Sequence, residues 1–583
     1  MKSAKDLHQL LEQIDRRGYP AYKDTAGAWR FERYVLGIDH VQGDPFAAPS
    51  RLHVEIPGNV TGIPAALHDT REKQTALEDY LLRRFVRAAG KYSFQAKGSG
   101  KSGVIAVMRP GQEVLTRSAL QLGTDGSLTA RFEVGFPANG RTINARELIK
   151  ILYQFLPQCV EQSFIYENID RKAAQAAVDL AEDQASLRRQ MKEQGLVAFV
   201  ADGAVLPRAS GVSDLPMKDA VAFRSPDSLR ISLDLSGGRT ITGMGIRKGI
   251  TLLVGGGYHG KSTLLKALER GVYTHIAGDG REYVLTDADA VKIRAEDGRS
   301  IWHTDISMFI GELPNQKSTV CFDSEDASGS TSQAANVVEA IEAGASALLI
   351  DEDTSATNFM IRDELMQRVI ARDKEPITPY IERVQELKEQ FGVSTILVAG
   401  SCGAYIDVAD TIIQMDSYLP CDITAYAKKL AEDYPSVAQA PCRNARPCFD
   451  RRPDKHPDVY EKGRIKLKVQ GREGISIGRE MIDLRYVEQL VDSGQLQTLA
   501  YVMKYMEEYG FDQKHTVQEL IRPLYERLEK DGFSALFKKP DGGLPGNLAM
   551  PRRPELYACL NRYRKLLCSQ KNHRADHPRH SFR

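Results

Sequence analysis

Gly255, Gly256, Gly257, Tyr258, His259, Gly260, Lys261, Ser262 and Thr263 follow an apolar run, Ile250–Val254, and lead into an amphipathic one, Ser262–Arg270. The pattern Gly255-x-x-x-x-Gly260-Lys261-Ser262 suits a nucleoside triphosphate. Glycines let backbone N–H groups turn toward phosphate oxygens, and a helix N-terminus adds positive potential. Lys261 is spaced to reach the β- and γ-phosphates, and the Ser262 hydroxyl to hold Mg²⁺. Downstream, the apolar run Ala347–Ile350 ends in Asp351, Glu352 and Asp353. Asp351 is expected to hold Mg²⁺, directly or through water. Glu352 is expected to polarise the attacking water as general base, which makes Glu352 and Lys261 the catalytic pair.

Between these motifs Ser328, Gly329, Ser330, Thr331, Ser332 and Gln333 open a helical stretch. Small hydroxyl residues at a helix N-terminus suit an anion, and they equally suit an ordinary N-cap. The order is similar to that of ABC-type ATPases, whose Ser/Gly-rich signature contacts the γ-phosphate bound to the opposite subunit. Transporter-type members carry a switch histidine after the next strand. Here Gly400-Ser401-Cys402-Gly403 stands in that place, and Ser401 offers a hydrogen bond without a histidine's proton chemistry. Gly278–Glu282 and Ala295–Arg299 are charged glycine turns that either sense metal or water or are plain turns. Gly98-Ser-Gly-Lys-Ser-Gly103 resembles the end of a P-loop, but Gln95 stands where the first glycine belongs. It reads either as a flexible turn or as a phosphate contact for nucleic acid through its amides and Lys101.

The elements that must position these groups follow from periodicity. Strands at Val197–Val200, Tyr283–Thr286, Ala290–Arg294, Ala347–Ile350 and Ser394–Ala399 alternate with helices at Gln333–Ala343, Arg362–Arg372 and Tyr380–Phe391. That alternation predicts a mostly parallel sheet with helices on both faces. Upstream, Lys5–Arg17, Ala65–Ala89, Arg146–Phe155 and Asn168–Gln194 read as helices, with strands at Ser102–Met108 and Thr129–Val134. Downstream, Arg464–Val469 reads as an exposed strand. Val487–Ser493, Leu496–Tyr509, Thr516–Asp531 and Pro554–Cys568 read as helices. The expected layout is an α+β domain over 1–165, a connecting helix over 166–195, an ATPase core over 196–434, a basic Pro-rich linker over 435–463, and a small, mainly helical domain with a basic tail over 464–583.

The 583 residues carry a net charge of +1, so any polyanion must be met by local patches. No apolar run is long enough for a membrane span and the N-terminus lacks a secretory signal, which predicts a cytoplasmic protein. The eight cysteines form no C-x-x-C pair and are expected as free thiols rather than disulfides or zinc ligands. Basic residues recur in Arg443–Arg472, in Arg562–Arg583, and around the Gly98 loop (Lys91, Lys97, Lys101, Arg109, Arg117, Arg131 and Arg141, with Tyr92, Phe94 and Phe132). They suit a single-stranded nucleic acid, or are solvated faces.

Gly255–Thr263, Ala295–Arg299, Asp326–Ala335 and Asp351–Phe359 together resemble the ABC-class soluble ATPases, a family widespread in bacteria that includes a kinetoplastid mitochondrial protein associated with RNA-editing complexes. The resemblance implies an α/β P-loop NTPase core of the ABC type, with ATP and Mg²⁺ as cofactors. It also implies a homodimer with ATP sandwiched between subunits, and RNA binding through the flanking domains. Residues 255–263, 328–333 and Ser401 are then the expected nucleotide contacts, and Ser262 and Asp351 the metal ligands. Two other readings stay open: an ATP-gated dimerisation module with negligible turnover, and the ATPase subunit of a transporter.

Overall fold

A computed structural model describes residues 1–362, 369–370, 374–400, 402–433, 446–537, 543–564 and 566–570. Ser401, most of the expected 362–372 helix, part of the linker and most of the basic tail lie outside the described residues.

The N-terminal part is built on strands β1 (Gly27–Arg30), β2 (Val35–His40) and β3 (Ser50–Ile56), helix α1 (Arg71–Tyr92), strand β4 (Leu128–Val134) and helix α2 (Leu156–Phe164). The four strands pair in sequence order, all antiparallel. Along β3 and β4 alternate residues are buried, the signature of a sheet with one face on a core. Helices α1 and α2 pack on each other, and a long helix α3 (Arg171–Glu193) lies along α1. The expected strand Ser102–Met108 shrinks to Ile105–Ala106.

The middle of the chain contains β5 (Leu196–Ala201), β6 (Arg230–Asp234), β7 (Thr240–Arg247), β8 (Ile250–Val254), α4 (Lys261–Arg270), β9 (Val284–Thr286), β10 (Ala290–Ile293), β11 (Arg299–Thr304), β12 (Phe322–Ala327), α5 (Gly329–Glu342), β13 (Ala347–Asp351), β14 (Ser394–Val398), β15 (Thr411–Asp416) and β16 (Leu419–Asp422). One sheet runs β10-β13-β14-β8-β15-β16. It is parallel except for the terminal β15–β16 hairpin. Its central strands are continuous apolar runs buried throughout, as a sheet covered on both faces requires. A second sheet, β6-β7-β5-β9, is antiparallel. The single mostly parallel sheet expected from the alternation is therefore two sheets. Strands β6 and β7 lack the apolar run that marks the others, and only Leu233 of β6 and Gly243–Ile246 of β7 are buried.

The C-terminal part holds a three-stranded meander, β17 (Leu467–Gln470), β18 (Gly474–Ile477) and β19 (Glu480–Asp483), then helices α6 (Ser493–Tyr505), α7 (Val517–Asp531) and α8 (Arg553–Asn561). Val487–Ser493 is not a helix. Gln489 there is buried and bonds to Lys292 N and to the carbonyls of Glu269 and Ala290, tying the segment to the parallel sheet. Arg117 pairs with Asp492 at 2.5 Å, joining the N-terminal part to the C-terminal one. Among the described residues no helix is long and apolar enough to cross a membrane.

Candidate nucleotide site

The loop after β8 turns beneath the β15–β16 hairpin. Gly255 has φ +139, and a Cβ there would fall 2.4 Å from the Met415 carbonyl oxygen, so only glycine fits. Gly260, at φ +100, starts α4 with no side chain capping the helix, which leaves its first N–H groups without a side-chain partner. Nothing lies within 4 Å of a Cβ at Gly257. This is the backbone an anion needs: a glycine-lined turn feeding an uncapped helix N-terminus. The Lys261 ammonium lies over the loop and donates to the carbonyls of Gly255 (2.6 Å) and Gly256 (2.9 Å). Ser262 and Thr263 occupy the first turn of α4, half-buried.

A cleft of about 780 Å³ opens on this loop. Lys261, Ser262, Thr263, Asp219 and Asp353 are among its polar lining, and Val221, Phe223, Tyr258, Met415 and Tyr418 among its apolar and aromatic lining. Tyr258 is fully exposed and adopts φ +65. His259 points the other way. Its Nδ1 accepts the Ser417 N–H (2.9 Å) and lies 3.1 Å from Asp416 Oδ1, so it braces the loop on the β15–β16 turn. Ser417 and Tyr418 in that turn both adopt left-handed backbone, as a two-residue hairpin demands.

Asp351 ends β13, which pairs with β14, itself beside β8. The acidic pair thus stands at the carboxyl edge of the strands next to the loop, where open α/β sheets place ligands. Asp351 is nearly buried, and its Oδ1 accepts the Asp353 N–H. Glu352 is half-buried and its carboxylate accepts the Gly400 N–H at 2.5 Å. Burial, with the Glu352 charge adding to it, pushes the nearby Cys402 thiol up.

Ser328 caps α5, accepting from Thr331 N. None of Ser328–Gln333 is among the residues that line the cleft. Of the six, Ser328 is exposed and Thr331 half-buried. Ser332 and Gln333 are fully buried. The Ser332 hydroxyl donates to Gly329 O and accepts from Glu296 N. Gln333 donates to Ser355 Oγ (3.0 Å) and accepts from Ala356 N (2.8 Å), while Ser355 in turn donates to Asp351 O. These two residues brace the acidic loop from inside rather than present a surface to nucleotide. Sequence spacing marks them as contacts because it cannot show which side of a helix start faces inward.

Both charged segments are turns, and charged side chains of each are taken up in buried ion pairs. Asp279 is buried against His275 and Arg208. Glu296 and Arg299 are buried in ion pairs with Arg562 and Glu339. Burial alone raises the Glu296 carboxyl, yet Arg562 and Arg299 hold it below the ordinary range.

The basic surfaces thin out as well. In the Gly98 loop, Ser99 N, Lys101 N, Ser102 N and Gly103 N all donate to carbonyls of the chain itself. Those amides are unavailable to phosphate. Arg117 and Phe132 are buried, Arg131 bonds to Ser118 O and Gln121, and Tyr92 stacks on Phe155. Lys91, Phe94, Lys97, Lys101 and Arg109 stay exposed. Arg451 and Arg452 are held by Glu342 and Asp450. Lys462, Arg464, Lys466, Lys468 and Arg472, around the start of the meander, are exposed. A groove of about 910 Å³ beside it mixes charges: Arg208, Lys266, Arg270, Arg281, Arg472 and Arg485 line it together with Glu113, Asp214, Glu269, Glu473 and Glu488. Burial, reinforced by Arg208, pulls the Arg281 guanidinium down to about 9.

Three domain families match successive stretches of the chain: the N-terminal domain of ATPases of the ABC class over residues 4–167, the ABC ATPase P-loop domain over 170–451, and the MRB1590 C-terminal domain over 466–569. An uncharacterized protein of Methanocaldococcus jannaschii is 28% identical over 294 residues, which span 46% of this chain and 63% of that protein. Among solved structures, the ADP conformation of an ATP-binding cassette of an ABC transporter matches 35% of this chain and 92% of its own, at 13% identity and a TM-score of 0.23.

Proposed function

The chain belongs to the ABC-class P-loop ATPases, and from that premise we propose that it hydrolyses ATP at a site completed by a second copy of itself. The observation that carries this reading is the division of the motifs. The cleft is lined by Lys261, Ser262, Thr263 and Asp353, with Asp351 and Glu352 at the adjoining strand edge just outside the lining, while the Ser328–Gln333 segment starts a separate helix that also lies outside it. Ser328 starts α5 exposed and with no residue of its segment in the chain's own cleft lining, which fits a signature that serves a partner's site.

In this reading Lys261 exchanges its contacts to Gly255 and Gly256 for the β- and γ-phosphate oxygens, and the α4 N-terminus and loop amides take the rest of the triphosphate. The wall of Val221, Phe223, Tyr258 and Tyr418 suits a base and sugar. Ser262 and Asp351 are the residues that fit Mg²⁺, a hard cation that favours oxygen ligands. When bound, that ion neutralises charge developing on the phosphates. Glu352 orients the attacking water and takes its proton, and the Gly400 N–H keeps the carboxylate turned toward the strand edge. The partner's exposed Ser328 and half-buried Thr331, at the start of its α5, would meet the γ-phosphate.

The second part of the proposal is that closure reshapes a surface for single-stranded RNA. Lys462, Arg464, Lys468 and Arg472 are the favoured contacts, and the MRB1590-like C-terminal match supports looking there. One experiment tests both parts: steady-state ATP turnover of the wild type and Glu352→Gln, with and without poly(U), at low and high salt. Glu352→Gln should lower turnover by roughly 10²–10⁴-fold, and poly(U) should change wild-type turnover at low salt but not at high salt. Equal turnover in wild type and variant would refute Glu352 as the base. Indifference to poly(U) at both salts would refute the RNA coupling.

A further inference from the structure

The β11–β12 hairpin departs from regular pairing just ahead of the Ser328 segment. Its register shifts between Arg299 and Ile301, and again between Ile301 and Thr304. His303 sits in the second irregularity with φ +50, in the left-handed region that non-glycine residues seldom adopt and histidine, asparagine and aspartate adopt more readily than most. A bulge re-aims a side chain. Here His303 Nδ1 lies 3.4 Å from Cys321 Sγ and 3.1 Å from Asp323 Oδ1. Cys321 stands at the bend that leads into β12 and Asp323 is the second residue of that strand, and both reach His303 Nδ1. One ligand atom from each of the three lies within 4.8 Å of the others, the one such grouping of three among the described residues.

We propose that His303, Cys321 and Asp323 bind a zinc ion. The two separations from His303 Nδ1 already resemble edges of a zinc tetrahedron, and the third, between Cys321 and Asp323, is at most 4.8 Å. Zn–S near 2.3 Å and Zn–N or Zn–O near 2.0–2.2 Å imply N···S of roughly 3.6 Å and N···O of roughly 3.3 Å. The donor set mixes a thiolate, an imidazole and a carboxylate, which disfavours Mg²⁺ and Ca²⁺ and suits a borderline-soft cation. The outer contacts also fit. The His303 N–H donates to Asp323 Oδ1 at 2.7 Å and orients that carboxylate, and the Cys321 N–H donates to Ser318 Oγ. All three residues are half-buried, so an ion has a way in and a partly dry seat. Among the described residues these three ligands come together, and a fourth position remains for water or another donor.

The place in the chain gives the ion a role. It ties β11 to β12, and β12 runs directly into Ser328 and α5. On the other side the Cys448 N–H donates to Asp305, which links the hairpin to the segment entering the C-terminal part. Zinc would fix the approach of the Ser328 segment to a second copy. That consequence rests on the composite-site reading, whereas the binding itself does not. The spacing of eighteen residues between His303 and Cys321, with no C-x-x-C, is why the cysteines read as plain thiols in the sequence.

The test uses the full chain, stripped with a chelator and titrated with Zn²⁺ against a chromophoric competitor, and with Co²⁺ by absorption. The expected result is about one ion per chain, with a thiolate-to-cobalt charge-transfer band. Cys321→Ala and His303→Asn should each weaken binding on the order of 10-fold or more; asparagine is chosen because it tolerates positive φ. Cys421→Ala, which removes an exposed thiol on β16, should bind as the wild type does. A cobalt spectrum without the thiolate band would overturn the proposal. So would unchanged affinity in both site variants, which would leave an ordinary His–Asp pair beside a thiol.

Discussion

Glu507 is fully buried, and its carboxylate accepts the Tyr563 hydroxyl at 2.7 Å and the His456 N–H at 2.9 Å. Burial outweighs these bonds and pushes its pKa from 4.5 up to about 7. A folded-state pKa above the unfolded one means the native protein holds its proton longer. Stability from this group is therefore full below about 4.5 and is lost as pH rises through about 7. Glu78, buried against Leu122 N and Gln74, behaves the same way, also near 7. Urea unfolding at pH 5 and pH 8 should show the loss, with Glu507→Gln removing at most on the order of 3 kcal/mol of it. An unchanged difference in that variant would contradict the assignment. Residues of this kind are invisible in sequence, since a buried glutamate and a surface one are spelled alike. Lys261, Asp351 and Glu352 are legible because their chemistry depends on contiguous spacing after apolar strands. His259 and Gln333 are legible only as members of a motif, because their bracing partners, Ser417 and Ala356, are set by the tertiary fold.

At the scale of elements, helix α5 is held between the acidic loop and the C-terminal part. Asn336 donates to Glu296 and to Arg294 O, Arg299 reaches Asn336 and Glu339, and Arg562 from beyond α8 reaches Glu296 and Asn336. Arg451 closes the far end on Glu342 and Asn561. Replacing one partner of a buried pair strands the other, which costs about 3–5 kcal/mol. Arg562→Met should therefore lower unfolding stability by that amount, and the double variant with Glu296→Gln should recover much of it. A loss under about 1 kcal/mol for the single variant would show that the network carries little. The parallel strands are legible as uninterrupted apolar runs. The first strand of the meander is legible in the alternation over Arg464–Val469. The β11–β12 hairpin and the rest of the meander are not, because their half-exposed strands mix polar residues without a clean alternation and bulges break the period of the hairpin. Val487–Ser493 reads as helix for the converse reason: its apolar spacing serves an irregular segment anchored by Gln489.

At the scale of the whole molecule, the N-terminal and C-terminal parts meet through Arg117–Asp492 and through Ser118, which bonds to Pro545 O and Leu548 N. Tyr273 of the ATPase core bonds to Gln489 and Glu555. A change at the nucleotide cleft thus has packed elements to travel through, including α5 and the hairpin that carries His303. The central claim is that one chain holds half of each ATP site. Its most direct test is the sedimentation mass of Glu352→Gln with Mg²⁺, with and without ATP. The account predicts a monomer without nucleotide and a stable dimer with it. A mass that does not change on adding saturating ATP would contradict it.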